Sequence, residues 1–217
     1  MNIKNLVLSL IVLSFLISCS KDNTTNPANN FESVTIGTQV WMSKNLDVST
    51  YRNGEAIPHV TDQTAWGNLT TGAWCYYNND ANNGTTYGKL YNWYAVNDPR
   101  GLAPAGWHVP SDAEWTTLTT YLGGESVAGG KLKETGTAHW NSPNTGATNE
   151  SGFSALPGGW RSNYGAFFYV GNYGYWWSAT ESDGTNAWLR DLGFDSADIY
   201  RDGYSKGDGF SVRCLRD

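Results

Sequence analysis

Large flat side chains joined by glycine set the limits on this fold: eleven tryptophans and 13 tyrosines stand among 25 glycines, while Leu, Ile and Met are sparse. Such a chain favours short strands and long ordered loops over helical bundles, so the expected class is α+β with small antiparallel sheets and an aromatic-rich loop region. Aromatic faces also stack on pyranose C–H groups, so the same residues suggest a sugar-binding surface. The alternative is that tryptophan simply fills the core of a loop-rich domain.

The amino-terminal segment reads differently from the rest. Lys4 supplies a positive start, Leu6 to Ile17 are apolar, and Leu16-Ile17-Ser18-Cys19 closes the run. About a dozen apolar residues are too few for a bilayer-spanning helix but suit a cleavable secretion signal. The closing residues resemble the lipobox of bacterial lipoproteins. That resemblance implies cleavage after residue 18, lipidation of Cys19 with acyl groups such as palmitate, and membrane anchoring through the lipid. Residues 19–30 then form a polar spacer, too poor in apolar groups to offset the entropy of ordering. Ser20-Lys21-Asp22 looks like the charged signal that sends Bacteroidota lipoproteins to the cell surface. The expected location is the cell envelope, in the outer membrane and facing outward.

About 185 residues remain, enough for one domain spanning 31–217. The formal charge of −6 becomes −7 once Lys4 is removed. An acidic chain without a Lys/Arg run lacks the footprint of a nucleic-acid binder. Cys75 and Cys214 are the cysteines left after processing. They read either as a disulfide, suited to an oxidising envelope, or as two buried thiols acting as small apolar groups.

Along the domain, Ser33-Val34-Thr35-Ile36 and Gln39-Val40-Trp41-Met42 flank Gly37-Thr38 as a hairpin. Trp74 to Tyr77 reads as a short strand, followed by a tight loop over 78–84, and Tyr87 to Val96 is compatible with helix or strand. The clearest helix starts at Ser111. Ser111-Asp112-Ala113-Glu114 is a capping box, and Trp115, Leu118, Tyr121 and Leu122 share one face. Gly123-Gly124 ends it, and a shorter helix over 125–134 is weakened by Gly129-Gly130. A Gly/Asn/Ser-rich loop covers 135–174. The last segment predicts a four-stranded meander over 175–180, 187–194, 197–204 and 209–215.

Several stretches, taken in order, resemble the Fibrobacter succinogenes major paralogous domain. They are Ile36-Gly37-Thr38-Gln39-Val40-Trp41-Met42-Ser43-Lys44-Asn45-Leu46, then Gly106-Trp107-His108-Val109-Pro110-Ser111-Asp112-Ala113-Glu114-Trp115, and Gly152-Phe153-Ser154-Ala155-Leu156-Pro157-Gly158-Gly159. Trp176-Trp177-Ser178-Ala179-Thr180-Glu181 and the terminal Gly209-Phe210-Ser211-Val212-Arg213-Cys214 complete the set. The family is common in lipoproteins of gut and fibre-degrading bacteria and has no well-defined function. It is distantly similar to the C-type-lectin-like fold, including its formylglycine-generating-enzyme branch. That likeness implies paired first and last strands and a long loop region on a small twisted sheet. It does not bring the branch's catalysis, which needs closely spaced cysteines, whereas Cys75 and Cys214 are far apart. Nor does the chain hold the Glu-Pro-Asn, Gln-Pro-Asp or Trp-Asn-Asp tripeptides by which C-type lectins bind calcium.

Two classes of function therefore stand. The first is a non-catalytic binding module for polysaccharide or another surface protein, with Trp140, Trp160, Arg161, Tyr164, Phe167, Phe168, Tyr173, Tyr175 and Trp176 as ligand-contacting candidates. The second is an envelope hydrolase or modifying enzyme using a carboxylate such as Glu150 or Glu181, since glycosidase chemistry needs paired carboxyls. A purely structural surface protein shades into the first class. No cofactor is expected. Calcium is the one metal with candidate donors, either Asn78, Asn79, Asp80, Asn82 and Asn83 in one loop or the meander aspartates Asp183, Asp191, Asp195, Asp198, Asp202 and Asp208, against which stand ordinary turn chemistry and solvated strand edges. His59, His108 and His139 are dispersed without metal-ligand spacing, and His108 is expected to pack or hydrogen-bond in the core.

Overall fold

Ser33–Ile36 (β1) and Gln39–Met42 (β2) form the expected antiparallel hairpin, with Val34 opposite Trp41. This is a computed structural model, and it describes residues 31–217. The segment read as a secretion signal, Cys19 and the whole of the spacer lie outside the described residues. Leu215–Arg216 (β12) pairs with β2 on one side and with Trp107–His108 (β5) on the other, so the first and last described strands lie in one sheet ordered β1-β2-β12-β5.

A second sheet joins Trp74–Cys75 (β3), Leu90–Asn92 (β4), Trp160–Arg161 (β6), Phe167–Phe168 (β7) and Gly209–Phe210 (β11) in the order β3-β4-β11-β6-β7. The third holds the longest strands, Tyr173–Glu181 (β8), Asn186–Gly193 (β9) and Tyr200–Ser205 (β10), ordered β10-β9-β8. The class is α+β. The expected fourth strand of the meander is corrected: its two ends, β11 and β12, leave for the other two sheets. Residues 211–214 between them thus cross between sheets, which buries Val212, Arg213 and Cys214.

Helices fill the gaps. Gln63–Gly67 (α1), Ala81–Tyr87 (α2) and Trp93–Val96 (α3) are short. The loop expected over 78–84 is corrected to a 3-10 turn at Tyr77–Asn79 running into α2, because the Asp80 carboxylate accepts the Asn82 amide and starts a helix. Asp112–Tyr121 (α4) has its full capping box: Ser111 Oγ accepts the Glu114 amide, and the Ser111 amide donates to Glu114 Oε2 at 2.8 Å. Trp115, Leu118 and Leu122 are buried, but Tyr121 is 64% exposed and lies over Gly37 in the β1–β2 turn. Glu125–Leu132 (α5) tolerates Gly129 and Gly130 for a reason composition hides. A Cβ at Gly129 would meet Asp198 O at 2.0 Å, and one at Gly130 would meet Gly146 O at 2.3 Å. Two loops press directly on this helix's backbone.

The core is aromatic. Trp41 packs on Trp115 with centroids 4.7 Å apart and on Phe153 at 5.8 Å, and Phe153 meets Trp176 at 6.2 Å. Cys75 and Cys214 are both free and buried, in different core clusters. The disulfide reading is therefore corrected to that of two small apolar groups. Their surroundings favour the neutral thiol, since burial pushes both up to about 12.

Loops are fastened by buried cations. Arg161 is fully buried, donates to the carbonyls of Val60 (2.6 Å), Thr61 (3.0 Å), Asp62 (3.2 Å) and Gly165 (3.0 Å), and lies over Trp66. Lys133 Nζ donates to the carbonyls of Thr145, Gly193 and Ser196. Arg213 donates to Phe153 O at 2.6 Å and to Asn45 Oδ1, which also accepts the Trp176 indole N–H at 2.9 Å. Asn45, Trp176 and Arg213 belong to three separate stretches of the resemblance, and the fold brings them to one hydrogen-bonded knot.

Candidate functional site

The three-stranded sheet has two unlike faces. Directly paired residues of antiparallel strands point the same way. Trp176 pairs with Arg190, and Arg190 with Arg201. That face packs toward α4, where both arginines ion-pair with Asp112 at 2.7 and 2.9 Å. On the other face Tyr175 pairs with Asp191 and Asp191 with Tyr200, while Tyr173 and Asp202 share the same side.

That second face continues into the loop region as a run of touching rings. Trp160 lies 5.4 Å from Phe168, Phe168 6.0 Å from Tyr169, Tyr169 5.5 Å from Tyr173, and Tyr173 6.0 Å from Tyr175 in a stacked arrangement. Tyr204 closes the run at 6.4 Å from Tyr175 and 5.7 Å from Trp160. Phe210 supports it from below, stacked on Tyr175 at 5.2 Å. Solvent reaches the outer members: Tyr169 is 52% and Phe168 40% exposed, and Tyr173, Trp160 and Tyr204 are half-buried. The inner members, Tyr175 and Phe210, are buried.

Among these rings sits Asp191, 6% exposed. Its carboxyl is pushed up to about 7, first by burial and then by the charge and hydrogen bond of Asp202 beside it. The same carboxyl acts on the tyrosines around it, raising Tyr175 and Tyr204 next after burial, and Tyr173 after burial and the charge of Asp195. Among the described residues no lysine or arginine pairs with Asp191. The indole N–H of Trp160 is also buried, without an acceptor among the described residues.

The expected ligand residues separate cleanly on this map. Trp160, Tyr173 and Phe168 are brought together, with Tyr169, Tyr204, Asp191 and Asp202 added by the fold. Phe167 is half-buried on Tyr77, and Tyr164 is 78% exposed but outside the run of rings. Trp140, Tyr175, Trp176 and Arg161 are corrected as surface contacts. Trp140 gives its indole N–H to Ala155 O, Trp176 belongs to the Asn45 knot, and Arg161 is consumed by four carbonyls. Tyr175 forms the floor of the face rather than its edge.

The carboxylates proposed for catalysis are not brought together. Glu150 pairs with Lys131 at 2.9 Å and Glu181 with Lys206 at 2.8 Å. The Asn/Asp loop is occupied with its own turns: Asp80 caps α2, Asn83 Nδ2 donates to Tyr77 O, and Asn78 takes a φ of 53°. His108 does hydrogen-bond, but at the half-exposed surface rather than in the core, with Nδ1 2.8 Å from Asp217 and Nε2 3.0 Å from Glu114. Burial alone would lower its pKa; the two carboxylates outweigh that and raise it. A separate cleft of about 400 Å³ is lined by Lys44, Asn45, Asp47, Thr85, Glu134 and Arg213. Its inner wall is the Asn45–Arg213 knot, already satisfied within the protein.

The model of the Fibrobacter succinogenes major domain matches residues 34–216, and the chain belongs to that family. None of the curated proteins compared with it matches.

Proposed function

We propose that this member of the Fibrobacter succinogenes major domain family is a non-catalytic, lipid-anchored binding module of the cell envelope that takes carbohydrate on the ring face of β8–β10. The observation that carries this reading is the unbroken run from Trp160 through Phe168, Tyr169, Tyr173 and Tyr175 to Tyr204, open to solvent at Tyr169 and Phe168. Isolated exposed aromatics need no explanation, but a contiguous patch marks an interaction surface. Flat rings backed by a rigid sheet lose little entropy on binding, and sugar C–H faces lie on them.

Phe168 and Tyr169 are the informative positions, because Trp160 and Tyr173 are packed against the core and their truncation would also loosen the fold. Each of Phe168→Ala and Tyr169→Ala is expected to weaken glycan binding about 10-fold, equal to roughly 1.4 kcal/mol, with unfolding transitions nearly unchanged. Binding that survives both substitutions on a glycan array would remove this face from consideration.

The anchor rests on the sequence through Cys19. Labelled palmitate should be incorporated into the wild-type chain in a bacterial host, and Cys19→Ser should abolish that incorporation. Labelling of the serine variant to the wild-type level would sink the anchor. The C-type-lectin-like identity of the fold is supported by the pairing of β2 with β12 and by the long loop region carried on a small sheet. Outward exposure follows the Ser20-Lys21-Asp22 reading and places the ring face where polysaccharide is met.

A further inference from the structure

We propose that the ring face selects sugars bearing a free amine, glucosamine-type units whose ring C–H face lies on Tyr169 and Tyr173 and whose ammonium is received by Asp191 and Asp202. This rests on the carbohydrate reading above and adds the charge of the ligand to it.

Three observations carry it. Asp191 lies at the centre of the face, directly between Tyr175 and Tyr200 in the strand register, and is more than nine-tenths buried. A carboxyl in that position ordinarily has a cationic partner or several N–H donors. Asp191 has neither among the described residues: its neighbours are a second carboxyl and tyrosine rings. Nearby cations are committed elsewhere. Arg190 and Arg201 are on the opposite face with Asp112, Lys206 is with Glu181, and Lys133 is spent on three carbonyls.

The surroundings suit a cation in the remaining respects. Aromatic faces attract positive charge through their quadrupoles, more strongly where water is excluded. Asp202 and Asp195 are exposed beside the rings, and the chain's net charge of −6 draws cationic polymers toward it. A neutral sugar would use the rings and offer the buried carboxyl hydroxyl donors only, with no countercharge. An anionic sugar would be repelled. An amine on the sugar supplies both the missing charge and the missing donors.

Calorimetric titration of residues 20–217 at fixed pH and low salt, with hexamers of glucosamine, N-acetylglucosamine and glucose, tests the proposal. The glucosamine hexamer is expected to bind at least 10-fold more tightly than the other two, with an affinity that falls as salt rises. Asp191→Asn should erase that preference and leave the weaker, ring-dependent binding. Glu32→Gln, which removes the same charge from an exposed position beside Lys44, should keep it. Equal affinities for the three hexamers, a preference untouched by Asp191→Asn, or one lost equally in Glu32→Gln would overturn the amine selectivity while leaving the carbohydrate reading in place. Binding of none of the three would overturn both.

Discussion

Replacing Lys133 with Met should cost about 3–5 kcal/mol and lower the midpoint of thermal unfolding by roughly 6–20 °C. Lys133 ends α5, and its Nζ reaches Thr145 O at 2.9 Å, Gly193 O at 2.8 Å and Ser196 O at 2.7 Å. One ammonium therefore ties the 140s loop, the end of β9 and the β9–β10 connection to a single helix terminus. Burial pulls its pKa down to about 8, so the charged form still prevails at neutral pH. Methionine nearly matches its volume and keeps the contact with Trp140, which isolates the polar loss. One buried carbonyl, that of Gly193, and two part-buried ones, those of Thr145 and Ser196, would lose their donor, each costing about 1–3 kcal/mol less whatever water recovers. Lys131→Met, two residues away, removes an ammonium whose half-exposed partner is Glu150, and should change stability by less than about 1 kcal/mol. Equal effects from the two substitutions in urea unfolding would show that the carbonyl cage holds nothing together. Hydrogen exchange supplies a local readout: the Thr145 amide, bonded to Phe194 O, should lose protection first.

What could be read from the sequence was local. The β1–β2 hairpin and the α4 capping box appear where short-range chemistry puts them, since Gly37-Thr38 and Ser111 with Glu114 act within a few residues. The split of the last segment into β11 and β12 was not legible, because it depends on partners as distant as Tyr91 and Trp41. Ring exposure was equally hidden. Trp176 and Tyr175 are adjacent and equally aromatic, yet the alternation of one strand sends the first to the Asn45 knot and the second under the candidate face. Trp140 and Tyr169 differ in the same way, one turned to Ala155 O and the other to solvent. Asp191 was visible only as one of several meander aspartates. Its significance comes from cross-strand register, which places Tyr175 and Tyr200 on either side of it. Register follows from which strands pair, and no window of sequence contains that.

That same carboxyl should leave a mark on stability. Asp191 is raised in the folded state from the usual carboxylate range to about 7, so the folded protein holds a proton that the unfolded chain has released. The associated stability is fully present below about pH 4 and is lost as pH rises through 7. Asp208, also buried and also near 7, adds a second contribution of the same sign. Wild-type protein is therefore expected to weaken steadily between pH 4 and 8. Asp191→Asn keeps the shape, cannot ionise, and can donate to Asp202. Relative to wild type it should be nearly neutral at pH 4 and more stable by about 2–4 kcal/mol at pH 8, about half of the slope having been removed. Parallel wild-type and variant curves in urea unfolding across that range would mean that Asp191 ionises freely and that the rings around it exclude little water. If instead the curves diverge as pH rises, the fold carries at neutral pH an uncompensated buried carboxyl that a single amide would relieve. Such a group weakens the free protein and becomes favourable only when a cation reaches it, so the stability lost at Asp191 is the part that an amine-bearing ligand would restore on binding.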